Sequence, residues 1–199
     1  MYVIVSGAPG SGKSTLARGL AGELGTPLFS KDTIKEALLE VLGAATVDQS
    51  RRIGRAAIEA LLAVAREGGG GVVESTWRPS LARGDLTRLE GTIVEVFCGC
   101  DPLLAKARYR DRAPARAAGH FDTERLADGD DLWTGEPAEP IAGPWPVLSV
   151  DTGKPVNTAD VARWVRRAIA PLSSGHDQAR GRLRSSSMMR WGRPVSGGL

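Results

Sequence analysis

Residues 2–15 read Tyr2-Val3-Ile4-Val5-Ser6-Gly7-Ala8-Pro9-Gly10-Ser11-Gly12-Lys13-Ser14-Thr15, and the fold turns on this stretch. A short apolar run leads into a G-x-x-x-x-G-K-[ST] string at Gly7 to Ser14. The residues that follow, Leu16-Ala17-Arg18-Gly19-Leu20-Ala21, favour a helix. Strand, glycine-rich loop and helix in that order make a cradle for a nucleotide phosphate. Gly7, Gly10 and Gly12 let successive backbone N–H groups converge on one anion, and the new helix aims its positive end at the same point. Lys13 then reaches the β- and γ-phosphates, and the Ser14 hydroxyl can ligate Mg²⁺. Gly7, Ala8, Pro9, Gly10, Ser11, Gly12, Lys13, Ser14 and Thr15 are the expected binding set for a nucleoside triphosphate.

Downstream, the pattern alternates between strands and helices. Leu28 to Ser30 reads as a second strand, and Asp32 opens a helix through about Leu42, with Ile34, Leu38, Leu39 and Leu42 on a helical period. A further helix spans about Asp48 to Glu67, its inner face expected at Ile53, Ala57, Leu61 and Val64. Val72 to Ser75 is a third strand, Ser80 to about Leu89 a helix, and Thr92 to Phe97 a buried fourth strand. Asp101-Pro102 starts a helix through about Arg112, proline taking its favoured first-turn place. Residues 113–144 carry prolines and charges but little apolar periodicity, as expected of a mobile lid and its connections. Val147 to Val150 is a fifth strand, and Thr158 to about Ile169 a last helix. Strands separated by helices imply a parallel sheet.

With 199 residues and 42% apolar content, the chain suffices for one α/β domain. No apolar run approaches the roughly 20 residues of a membrane span, so no membrane partner is expected. Cys98 and Cys100 are too few for a disulfide framework and read as reduced thiols. The net charge of +3 is unevenly spread: five arginines against one aspartate give residues 173–199 a balance of +4, which leaves −1 elsewhere. We therefore expect one phosphate-loop domain over residues 1–172 and a disordered Ser/Gly/Arg-rich tail over 173–199.

Further residues carry chemistry. Asp32 stands at a strand's carboxyl end, where open α/β sheets bind ligands. There it can take a proton from an acceptor hydroxyl, hold a Mg²⁺-bound water, or simply cap the helix. Glu74 ends the third strand at the same edge and can serve Mg²⁺ or the acceptor. Lys35, Thr76, Trp77 and Arg78 offer a cation, a hydroxyl, a ring and a second cation to an acceptor. Arg108 and Arg112 lie one helical turn apart beside the lid, where guanidinium groups can neutralise a transferring phosphoryl group. His120 reads as a surface-loop histidine.

With these residues placed, the chain resembles the small kinases of the zeta-toxin, chloramphenicol phosphotransferase and polynucleotide-kinase-like group, often described as AAA-domain proteins. The resemblance covers about residues 1–170. It rests on Gly7 to Thr15, Ser30-Lys31-Asp32, Val72-Val73-Glu74-Ser75-Thr76, the Arg108/Arg112 pair and Val150-Asp151-Thr152. It implies a three-layer, nucleoside-kinase-like P-loop NTPase fold with a five-stranded parallel sheet, helices on both faces and a small lid at about 108–144. It also implies ATP and Mg²⁺ as cofactors and Asp32 as general base. Glu74 and Trp77 depart from the Asp and Asn more usual at those places in the group. The expected activity is a cytoplasmic phosphotransferase acting on a small-molecule hydroxyl, with Lys13, Asp32, Arg108 and Arg112 catalytic and Ser14 and Glu74 at the metal. A polynucleotide 5′-hydroxyl kinase, to which the basic tail would lend phosphate contacts, and a non-catalytic ATP-switched binding module remain the alternatives.

Overall fold

Central strands covered on both faces read as unbroken apolar runs, and the first strand, β1 (Tyr2–Ser6), is buried along its whole length. In the computed structural model, which describes residues 1–113, 118–127 and 131–170, β1 is followed by α1 (Lys13–Leu24), β2 (Leu28–Ser30), α2 (Lys31–Leu42), α3 (Val47–Glu67) and β3 (Gly71–Glu74). Next come α4 (Pro79–Leu86), β4 (Ile93–Gly99), α5 (Pro102–Arg112), α6 (Asp122–Ala127), α7 (Asp131–Thr134), β5 (Val147–Asp151) and α8 (Thr158–Ile169). The strands form one all-parallel sheet in the order β2-β3-β1-β4-β5. The tail at 173–199 and two parts of the lid segment, 114–117 and 128–130, lie outside the described residues.

Side-chain alternation along β1 divides the core in two. Val3 and Val5 meet Leu16 and Leu20 of α1 and Val161 and Val165 of α8 on one face. Tyr2 and Ile4 meet Leu61 and Leu62 of α3 and Leu86 of α4 on the other. The result is the expected three-layer α/β architecture. Helix starts follow local chemistry: Thr46 accepts from Gln49 N–H at 3.2 Å, Asp101 from Leu104 N–H at 3.0 Å and Asn157 from Ala159 N–H at 3.1 Å.

Two apolar residues depart from the inward faces expected of them. Val64 is 52% exposed, because α3 turns Ser50, Ala57, Leu61, Leu62 and Ala65 inward and leaves Val64 on the flank of that stripe. Leu42 is 66% exposed beside exposed Val41, on the last turn of α2, the helix that packs on α3 and buries Leu39 instead.

The sheet also holds a carboxylate that strand patterning alone does not explain. Glu95 sits in mid-β4 with no exposed surface. Its Oε1 accepts Ser6 Oγ at 2.6 Å and Ile141 N–H at 2.8 Å; its Oε2 accepts Ala142 N–H at 3.0 Å and the Trp145 indole at 3.3 Å. Arg83 Nε adds a bond to the Ile141 carbonyl at 2.8 Å. A buried carboxylate is tolerable only when its oxygens are satisfied, and here three of the four donors come from residues 141–145. Glu95 thereby ties residues 141–145 to the sheet beside the residue that precedes Gly7.

Candidate active site

The loop between β1 and α1 has positive φ at Gly7 (140°), Gly10 (78°) and Gly12 (86°). Gly10 is the most constrained of the three. A Cβ there would lie 2.1 Å from the Ala105 carbonyl oxygen of α5. Gly10→Ala is therefore expected to lower unfolding stability by about 2–4 kcal/mol, from left-handed strain plus overpacking. Gly84→Ala, at an exposed position of α4 with nothing within 4 Å of its Cβ position, should instead stabilise slightly. Denaturant titration of both variants checks the contrast.

Inside the loop, the Ala8 carbonyl accepts Ser11 N–H at 3.1 Å and Lys13 Nζ at 3.2 Å. Lys13 is only 5% exposed. Burial pushes its pKa down, the Glu74 and Asp32 carboxylates pull it up, and the Arg112 guanidinium pushes it down again. Both carboxylates and Arg112 thus lie within electrostatic reach of the phosphate-loop lysine.

Three strand ends converge beside it. Glu74, at the end of β3 and 2% exposed, accepts Ser14 Oγ on Oε1 at 3.2 Å and Ser30 Oγ on Oε2 at 2.7 Å. The Ser14 hydroxyl and a Glu74 carboxylate oxygen are hard donors side by side, a set that suits Mg²⁺ shared with phosphates. Asp32 pairs with Lys31 Nζ at 3.0 Å. It is not the cap of its helix, which starts at Lys31 with Ser30 at the cap position; Asp32 lies inside the first turn, where its charge complements the dipole.

The other expected residues are dispersed. Lys35 has no exposed surface and donates to Ser50 Oγ at 2.7 Å, which places it between α2 and α3. Trp77 is 3% exposed in the α3–α4 core. Thr76 is half-buried on the loop after β3, and exposed Arg78 stands at the cap of α4. Arg108 donates to the Thr152 carbonyl, just after β5, at 3.1 Å and approaches Cys100 Sγ at 3.7 Å; Thr152 in turn stands 3.7 Å from the Cβ position of Gly12 in the phosphate loop. Arg112 lies over the Tyr109 ring at 5.2 Å, and its buried Nε has no hydrogen-bond partner among the described residues. Burial pushes the Cys98 thiol up to about 12 and raises Cys100 as well, which leaves neither poised as a nucleophile.

His120 corrects the surface-loop reading. It is 3% exposed, with Nε2 at 3.3 Å from Glu36 Oε1. Its neighbourhood is the place where α2 and α3 meet the short turn Ala118–His120, with Gly119 pressed against Leu39. Beside it, Tyr109 donates its hydroxyl to buried Asp122 at 2.5 Å. Sequence reasoning also missed Trp133, 2% exposed, whose indole donates to the Pro9 carbonyl at 2.9 Å. The available signal was Leu132-Trp133, an apolar pair within an otherwise polar, proline-rich stretch.

An AAA domain family model matches residues 3–132. Among solved structures, a "putative kinase" from Chloroflexus aurantiacus is 31% identical, with a TM-score of 0.75 over 84% of this chain and 97% of that one. A sugar kinase from a Janibacter species (19% identity, TM-score 0.53, 85% and 95% covered) and a gluconokinase from Sinorhizobium meliloti (20%, 0.50, 84% and 93%) share the fold. No curated protein matches the sequence. Among the described residues no helix is long and apolar enough to cross a membrane. The family match spans most of the chain and takes in the phosphate loop and the strand ends around Glu74, so the chain belongs to the AAA domain family, within the P-loop kinase group.

Proposed function

We propose that the chain is an ATP- and Mg²⁺-dependent phosphotransferase that moves the γ-phosphoryl group to a hydroxyl of a small molecule. The observation that carries this reading is the Ser14–Glu74–Ser30 cluster beside Lys13, with the Asp32 charge in reach of the same lysine. Likeness to the Chloroflexus chain at 31% identity supports kinase chemistry. Bound Mg-ATP would supply the phosphoryl group and screen its charge. Lys13 and the loop amides hold the donor phosphates, and Ser14 and Glu74 offer oxygens to the metal. Asp32 accepts the acceptor's hydroxyl proton while that oxygen forms its bond to phosphorus and ADP leaves. Arg112 and Arg108 neutralise charge on the moving group, Arg108 from its place beside Thr152 and the phosphate loop. Glu74, Thr76, Arg78 and the Lys35 and Trp77 region shape the acceptor side. The free thiols and the use of ATP support a cytoplasmic setting.

Transfer of labelled γ-phosphate to sugars, nucleosides, aminoglycosides, phenicols and 5′-hydroxyl oligonucleotides tests the proposal. Wild type should label one small-molecule class, and Lys13→Ala should label none. Labelling of the oligonucleotide alone would make the enzyme a polynucleotide 5′-kinase. Release of free phosphate without any labelled acceptor overturns the transferase reading.

A further inference from the structure

The geometry points to Trp133 as the positioning residue that sets the direction of one phosphate-binding amide, Gly10 N–H, by holding the carbonyl of the peptide unit to which it belongs. This rests on the reading of the loop as a nucleotide-phosphate cradle.

The peptide between Pro9 and Gly10 is planar and trans, so its C=O and N–H point in opposite directions. Proline fixes its own φ near −65°, but ψ of Pro9 and φ of Gly10 remain free to turn that plane over. Glycine accepts either sign of φ at little cost, so the residue that permits the cradle also permits its inverted form. The Ser11 N–H bond to the Ala8 carbonyl closes a Pro-Gly turn that already favours the cradle form, and a contact from outside the loop can hold that plane against its inversion.

Trp133 supplies it from 124 residues further along the chain. Its Nε1–H donates to the Pro9 carbonyl at 2.9 Å, which turns the Gly10 N–H away from the indole. The indole itself is held in place. Its ring meets Tyr109 edge-on at 5.4 Å, and Lys106 Nζ lies 5.6 Å from its centroid. Tyr109 is in turn fixed by its hydroxyl bond to Asp122. Across the loop, the Ala105 carbonyl stands 2.1 Å from where a Gly10 Cβ would be, so α5 closes the remaining space. Ala8, Ala105, Tyr109 and Trp133 form a small apolar cluster of their own. The phosphate loop is gripped between α5 and α7, and the grip bears on one peptide plane.

The test uses the full chain with Trp133→Phe, which keeps an aromatic ring and removes the N–H. Calorimetric titration should find ATP and ADP bound about tenfold more weakly than by wild type, the loss of roughly one net hydrogen bond. Adenosine, which has no phosphate, should bind both chains alike when followed by chemical-shift titration. ATP affinity equal to wild type would reduce Trp133 to packing and overturn the proposal, as would an equal loss for adenosine. In wild type itself, the Trp133 indole N–H resonance, assigned through its contacts with Pro9 and Tyr109, should shift with ADP and not with adenosine. An indole indifferent to ADP overturns the proposal even if the Phe variant fails to fold. A wild-type chain that binds no ATP removes the nucleotide reading and this proposal together, whereas normal ATP binding by both chains sinks only the role of Trp133.

Discussion

Asp32→Asn is expected to lower the turnover number for phosphoryl transfer by about 10²–10⁴-fold, the usual contribution of a positioned general base. Binding of ATP should change little by comparison. Asparagine keeps the size and place of the side chain in the first turn of α2, so the helix and the Ser30–Glu74 contact beside it should persist. What it cannot do is receive a proton. Lys13 loses one of the two carboxylates that favour its charged form but keeps Glu74. The donor site therefore stays charged and assembled while acceptor activation is lost. Initial rates with the acceptor identified by labelling, together with calorimetric titration of ATP, separate the two effects. An unchanged turnover number would remove Asp32 from the chemistry. A large loss of ATP affinity would instead assign it to the donor side.

Glu95→Ala should cost at least about 3 kcal/mol of folding stability, since each buried donor left without an acceptor costs about 1–3 kcal/mol. Four donors converge on this carboxylate: Ser6 Oγ, the Ile141 and Ala142 amides and the Trp145 indole. Replacing a buried ion pair by apolar residues can be harmless, but that argument removes both partners. Here two of the four donors belong to the backbone, and all four stay. Glu95→Gln retains an acceptor oxygen and should lose less. Urea titration of the two variants decides it. A loss below about 1 kcal/mol for Glu95→Ala would mean that the return segment finds other acceptors on its own.

The two features behind these predictions were unequally legible in the sequence. The phosphate loop could be read because its spacing encodes a backbone conformation that few residue types permit, and the sheet because each strand is a local apolar run. Asp32 and Glu74 were found for a related reason: a carboxylate at the carboxyl end of a parallel strand stands at the ligand-binding edge. Glu95 was missed because its meaning lies in partners 46 to 89 residues away, and mid-strand it reads only as a break in hydrophobicity. Trp133 and His120 fail for the same reason, as both belong to a segment without periodicity whose burial is decided by what it lands on. The misplaced Val64 and Leu42 have a different origin. Periodicity gives a helix its stripe but not the stripe's centre, and it cannot tell where along a helix the contact with its neighbour ends.

The central place of β1 has a consequence for the order in which the molecule takes shape during synthesis. Tyr2 pairs with Gly71 on one side and Ile93 on the other. At roughly 5–20 residues per second on the ribosome, Val3, Ile4 and Val5 wait seconds for either neighbour, an apolar strand with both edges open. Such distant pairing slows folding and lengthens exposure to wrong partners. The helix wall against Gly10 and the indole on Pro9 are made later still. The nucleotide cradle is written near the start of the described chain and is among the last parts of it to acquire its form.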